Sequence, residues 1–273
     1  MNFVSTTDDV NLYFKDWGRG RPVVLIHGWP LSSDSWDEIA IHLASSGYRV
    51  LSYDRRGFGR SSQPWQSYAY DTLSDDLAAI MRETGIDDAT LVGFSMGGGE
   101  VVRYMSRHEG KGVAQAVLIG SIVPYMLKTS DNPNGTDAAV FDQIGGQIKA
   151  DRSKFFAGFF QEFFRGGKTE HEISDEFIRW SWSVAMQASL KATLECAGAF
   201  GTTDFRSELN AVDVPTLIIH GTGDKIVPID ASARPAAKGI EGATLKEYEG
   251  APHGLLATHR DRICSDLLTF LKG

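Results

Sequence analysis

The sequence predicts an α/β protein: a mostly parallel sheet of eight strands, helices on both of its faces, and an inserted helical cap. Two observations carry this. Runs such as Pro22-Val23-Val24-Leu25-Ile26 and Pro215-Thr216-Leu217-Ile218-Ile219 are apolar almost throughout, as strands buried on both faces are. They alternate with helix-like patterns, and that alternation means a parallel sheet with covered faces. The alternation stops over residues 125–200, where pairs of phenylalanines recur, and then resumes. Residues 1–124 and 201–273 are therefore the expected core domain, and residues 125–200 the cap.

The elements follow in order. Residues 3–6 and 11–17 read as a hairpin, with Asp8-Asp9 as its turn. Gly18-Arg19-Gly20 breaks the pattern before the strand at 22–26. A helix is expected over 35–45, with Trp36, Ile39 and Leu43 on one side, and a strand over 49–53. In the next helix Thr72 is the expected N-cap, with Asp75 three places on. Leu73, Leu77, Ile80 and Met81 form its apolar face, and Gly85 follows its end. An apolar run then ends in Gly93-Phe94-Ser95-Met96-Gly97 and leads directly into a helix reaching His108. A strand over 113–119 follows. In the cap, Phe155-Phe156, Phe159-Phe160 and Phe163-Phe164 form two stripes. Most of these rings serve as the cap's own core. The face is too broad for a small insert to bury alone, so some rings face the sheet and line a pocket. A strand over 215–220, a helix over 228–238 and a strand over 243–248 come next. The final helix carries Ile263, Leu267, Phe270 and Leu271 on one side.

The net charge of -8, without any basic block, argues against nucleic acid or a membrane surface as partner. Cys196 and Cys264 lie far apart, outside any C-x-x-C pattern, and read as reduced thiols. The opening residues have no basic and no apolar region, and no segment is apolar enough to span a bilayer. A cytoplasmic protein is the expectation.

The chemistry centres on Gly93-Phe94-Ser95-Met96-Gly97. In the G-x-S-x-G pattern a strand turns into a helix with almost no loop, which lifts the serine clear of the sheet. The flanking glycines keep that turn sterically open, and the helix N-terminus favours negative charge beside the serine. A phosphate-cradling reading is weaker, because no Lys-Ser or Lys-Thr follows and the spacing is not G-x-G-x-x-G. A serine hydroxyl needs a base, and the base needs a partner that holds its tautomer. Of seven histidines, only His253 lies in a glycine- and proline-flanked loop after the last strand. His27 and His220 end strands but precede tight glycine turns and read as structural. His42, His108 and His171 lie on helices or in the cap, and His259 begins the last helix. The chain order Ser, Asp, His points to Asp224, in the turn after the preceding strand. Asp230 is expected inside the following helix, and Asp54 reads as holding its own turn. The oxyanion of a tetrahedral intermediate needs two donors. Met96, next to the serine, supplies one N–H. Pro30 has none, which leaves Trp29 for the other. Pro30, Val123, Phe159, Ile226 and Val227 are the candidate pocket walls, with a place in the core equally open for Val123, Ile226 and Val227.

With these residues in place, the chain resembles α/β-hydrolases of the bacterial cofactor-free haloperoxidase and arylesterase family. The likeness rests on His27-Gly28-Trp29-Pro30, Asp54-Arg55-Arg56-Gly57-Phe58-Gly59-Arg60-Ser61, Gly93 to Gly99, Gly221-Thr222-Gly223-Asp224 and Ala251-Pro252-His253-Gly254. It covers nearly the whole chain. It implies the α/β-hydrolase fold, with Ser95 as nucleophile, His253 as base, Asp224 as its partner and an oxyanion hole from Trp29 and Met96. It implies no metal and no other cofactor. It also implies hydrolysis of small esters, often aryl acetates, and peracid formation from a carboxylic acid with hydrogen peroxide. A proline after the oxyanion residue, as at Pro30, is associated with the peroxide reaction. Related proteins often form homo-oligomers. A lactone, lactam or C–C bond hydrolase with the same triad, and a slow-turnover ligand receptor, stay open as alternatives. Enzymes with an aspartate nucleophile do not fit Ser95.

Overall fold

The structure is a computed structural model that describes residues 2–273. Strands β1 (Phe3–Ser5) and β2 (Asn11–Gly18) form the hairpin, with Asp9 at φ 62° in its turn. β3 (Pro22–Ile26) is followed by a 3-10 turn over Ser33–Trp36 and by α1 (Asp37–Ser45). β4 (Arg49–Tyr53) leads to α2 (Tyr70–Glu83), β5 (Ala89–Phe94) to α3 (Met96–Arg107), and β6 (Val113–Ile119) follows. Three helices then succeed one another: α4 (Ala138–Arg165), α5 (Asp175–Met186) and α6 (Leu190–Thr202). β7 (Thr216–Gly221), α7 (Ala233–Gly239), β8 (Thr244–Tyr248), α8 (Leu255–Thr258) and α9 (Arg260–Leu271) complete the chain.

All eight strands join one sheet in the order β1-β2-β4-β3-β5-β6-β7-β8. β2 pairs antiparallel with β1 and β4, and every pairing from β4 to β8 is parallel. The apolar runs explain the middle of this order. Every residue of β5 and β7 is buried, as are Val23 to Ile26 of β3. Burying one such side chain stabilises the fold by about 1.5–3 kcal/mol. The strand order reverses direction about β3, between β4 on one side and β5 on the other. Ligands bind in sheets of this kind beyond the carboxyl ends of the strands, at such a switch point. The residues standing there are Trp29 after β3 and Ser95 after β5.

Two helix starts differ from the sequence reading. α2 begins at Tyr70, so Thr72 is not its N-cap and lies inside the first turn. Tyr70 is buried, packs on Phe205 with ring centroids 4.8 Å apart, and donates its hydroxyl to the Met96 carbonyl at 3.1 Å. That anchoring extends the helix in place of a side-chain cap. α7 begins at Ala233 rather than 228, which leaves Asp230 outside it. The N–H groups of Ile226 and Val227 are bonded to Asp224, so the chain here is held as a turn beside that carboxylate.

α4 is broken at Asp151 (φ -160°, ψ 90°), whose carboxylate accepts from the Lys154 N–H at 2.9 Å. Asp151 thereby caps the half of α4 that carries the phenylalanine stripes. Phe156, Phe160, Phe163 and Phe164 are buried, and Phe155 and Phe159 pack against the core while half-buried. Ser174 and Ser189 cap α5 and α6 by accepting from Phe177 and Ala192 N–H. Among the described residues, no helix is long and apolar enough to cross a membrane.

Candidate active site

Ser95 joins β5 to α3 with φ 53° and ψ -117°. The turn is this tight because its glycines permit it. A Cβ on Gly93 would stand 2.5 Å from the Gly97 carbonyl oxygen, and one on Gly97 would stand 2.5 Å from that of Ile26. The Ser95 N–H donates to the Ile119 carbonyl at 2.8 Å, which ties the turn to β6.

The structure brings together the three residues expected to act as a unit. His253 Nε2 lies 2.9 Å from Ser95 Oγ, and its Nδ1 lies 2.6 Å from Asp224 Oδ2. With Nδ1–H donating to the carboxylate, Nε2 is left to accept the serine proton. The other Asp224 oxygen accepts from Ile226 N–H at 2.9 Å and Val227 N–H at 2.8 Å. Burial pushes the Asp224 carboxyl up. The neighbouring His253 and His220 rings, with the hydrogen bond from His253, outweigh this and hold it well below the usual carboxylate range. All three residues are buried. The imidazole of His253 is held between Phe94, with centroids 5.2 Å apart, and Phe163, edge-on at 4.9 Å. Its loop is anchored by the Gly254 N–H, which donates to the Phe163 carbonyl at 2.8 Å. The second half of α4 therefore supports the histidine directly.

Met96 is the first residue of α3, so its N–H has no acceptor within the helix. Among the described residues, neither the Met96 nor the Trp29 N–H has a hydrogen-bond acceptor. Two free backbone donors at adjacent strand ends are what an oxyanion site requires. The Trp29–Pro30 peptide bond is cis. The Trp29 indole donates to the Thr193 carbonyl of α6 at 3.0 Å and lies among Phe155, Phe156, Phe159 and Phe200.

A cavity of about 60 Å³ opens on Ser95 and His253. Phe159, Ile226 and Val227 line it, whereas Pro30 and Val123 do not. Val123 is fully buried with its N–H donated to Ser121 Oγ at 3.2 Å, and Pro30 is buried as well. Phe141, Ile144, Phe200 and Met126 take their place. Nothing in the sequence pattern marked these four, because each lies in or beside the helical insert and reaches the cavity only through tertiary packing. A larger cleft of about 290 Å³ lies on the far side of Phe94 and Phe163 and touches none of the triad.

The remaining candidates settle into supporting places. Asp54 accepts from the Ser33 and Arg60 N–H groups at 2.9 and 2.8 Å and holds its turn. His220 donates Nε2–H to the Val227 carbonyl at 2.9 Å and lies 3.4 Å from Asp224, so it steadies the segment that carries the acid. Its closeness to Asp224 was not legible from the chain, which shows only a strand end before glycine. Among the described residues, no three His, Cys, Asp or Glu side chains are grouped as a metal centre would need. Cys196 and Cys264 are both free and buried, and burial pushes the Cys196 thiol up to about 12.

A serine on a strand-to-helix turn, a hydrogen-bonded histidine–aspartate pair and two free backbone donors thus stand together at the switch point. Comparison with known proteins gives the family. The alpha/beta hydrolase fold family matches residues 21–259, and the chain belongs to that family. Within it the chain stands among the non-heme haloperoxidases and their esterase relatives. It is 43% identical to a non-heme chloroperoxidase of Streptomyces lividans over 100% of both chains. It is 40% identical to a bifunctional esterase/perhydrolase of Acinetobacter calcoaceticus, again over 100% of both. The crystal structure of a bromoperoxidase from Bacillus anthracis superposes with a TM-score of 0.96 at 42% identity, covering 100% of this chain and 99% of the other.

Proposed function

We propose that the protein hydrolyses small carboxylic esters through an acyl-enzyme on Ser95, and that hydrogen peroxide can replace water to give a peracid. The observation that carries this is the continuous hydrogen-bonded series Ser95–His253–Asp224 opening on a small apolar cavity. His253 takes the Ser95 proton as Oγ attacks the ester carbonyl, and Asp224 stabilises the imidazolium that forms. The Trp29 and Met96 N–H groups hold the oxyanion. As the tetrahedral intermediate collapses, His253 returns the proton to the leaving alcohol. Water then attacks the acyl-enzyme and releases the acid. Attack by hydrogen peroxide releases the peracid instead, which oxidises halide away from the protein.

The peroxide reading is supported by the full-length likeness to an esterase/perhydrolase and by Pro30 after the oxyanion donor. The helices between β6 and β7 serve in this reading as a cap over the cavity, within residues 125–200. Two free, buried cysteines are in keeping with a cytoplasmic setting.

The test is hydrolysis of phenyl or para-nitrophenyl acetate by the purified protein, with peracid measured after adding hydrogen peroxide and acetate. Turnover that disappears in Ser95→Ala is the expected result, and an unchanged rate in that variant sinks the assignment. Hydrolysis without peracid would leave an esterase alone.

A further inference from the structure

Beneath the site lies a buried ionic network that the ester chemistry does not use. Arg55, just past β4, and Glu100, on α3, are both almost completely buried and form an ion pair. Arg55 Nε donates to Glu100 Oε1 at 2.6 Å, and the Tyr53 hydroxyl donates to Glu100 Oε2 at 2.7 Å. The same guanidinium donates through Nη2 to the His27 carbonyl at 2.6 Å. The Arg55 backbone N–H donates to His27 Nε2 at 3.0 Å.

One end of this network reaches the Gly28–Trp29 peptide through His27, and the other lies on the helix that begins at Met96. With Nε2 accepting, His27 carries its proton on Nδ1 and donates it to the Gly28 carbonyl at 2.9 Å. The Leu31 N–H donates to the same oxygen at 3.0 Å. That carbonyl shares its peptide plane with the Trp29 N–H, which points from the opposite edge. Fixing the oxygen therefore fixes the donor. At the other end, Glu100 lies one helical turn after Met96, on the helix whose first N–H is the second donor.

We propose that the Arg55–Glu100 ion pair is a positioning device for the oxyanion hole, tying the loop that carries the Trp29 N–H to the helix that carries the Met96 N–H. The pair touches no substrate and acts through these two peptide groups. The inference rests on the serine-esterase reading of the site.

The test replaces both charges together, Arg55→Met with Glu100→Met, because removing one alone leaves a buried unpaired charge, whereas apolar replacement of a whole buried pair is commonly tolerated. Arg55→Lys is the companion. It keeps a counter-charge beside Glu100, but its single ammonium cannot grip both the carboxylate and the His27 carbonyl as the guanidinium fork does. Both variants are compared with the wild type for ester turnover, thermal melting and inhibition by phenylboronic acid, whose tetrahedral adduct on the serine places an oxygen in the hole. For the folded double variant we expect kcat to fall about 100-fold with KM nearly unchanged, and boronate inhibition to weaken in step. For Arg55→Lys we expect a fall of about tenfold in kcat alone. If the double variant does not fold, the lysine variant decides. A folded variant with kcat within about threefold of wild type, or a loss carried by KM with unchanged boronate affinity, overturns the proposal. A wild type that turns over no ester overturns the serine-esterase reading, and the clamp with it, whereas active wild type with unaffected variants overturns the clamp alone.

Discussion

Ser95 holds a positive φ that its side chain disfavours, since only glycine visits that region without steric cost. Such strain costs on the order of 1–3 kcal/mol and is stable only where the surroundings enforce it, here through β6 and the glycines at either side. Ser95→Gly is therefore expected to raise Tm by about 2–4 °C while abolishing turnover, read by thermal melting and ester assay on one preparation. Asp224 has a different weight. Asp224→Asn keeps the shape but favours the wrong tautomer of His253, and kcat is expected to fall about 10⁴-fold. The Asp224 carboxyl titrates below its ordinary value of 3.8 in the folded protein. Its contribution to stability is thus present above that ordinary value and is lost as pH falls through the lower, folded one. Melting curves from pH 6 down to about pH 2 are expected to show wild type losing more stability than Asp224→Asn over the acid end of that range. Equal slopes would contradict the depressed pKa.

At the scale of elements, two serines illustrate what local sequence can specify. Ser174 and Ser189 stand where a helix needs an acceptor for its free N–H groups, and each fills that place. Ser189 matters beyond α6 itself, because the Thr193 carbonyl in the first turn of that helix accepts from the Trp29 indole. Ser189→Ala is expected to cost about 1 kcal/mol, which lowers Tm by roughly 2–4 °C. Loss of a cap without any change in melting would show that tertiary packing alone holds the helix. Thr72 shows the converse. It has the residue type of a cap and a suitable acid three places on, yet the buried Tyr70 sets the helix start from across an interface with α3 and Phe205. The start of α7 is likewise displaced, since Ile226 and Val227 give their N–H groups to Asp224.

For the whole molecule, the sheet brings the candidate residues together at its strand ends, and helices between β6 and β7 wall the cavity beside them. A cavity of about 60 Å³ is small, so short acyl groups are expected to be favoured over long ones. A series of para-nitrophenyl esters is expected to show kcat/KM falling from acetate through butyrate to octanoate, and a rise with chain length would show that the insert opens on binding. The sequence by itself determined the sheet, because β-branched runs buried on both faces and the turns after them are local signals. It also determined Ser95, Asp224 and His253 as candidates, because each stands at a strand end in a turn whose glycines are visible in the chain. Tertiary structure alone decided that Phe141, Ile144 and Phe200 wall the cavity in place of Pro30 and Val123. It also decided that Trp29 packs under the insert, and that His220 meets Asp224. The physical reason is one of range. Periodicity and turn chemistry act between residues a few positions apart, whereas pocket walls and buried networks form between elements far apart in the chain, where packing chooses among side chains that look alike in the sequence.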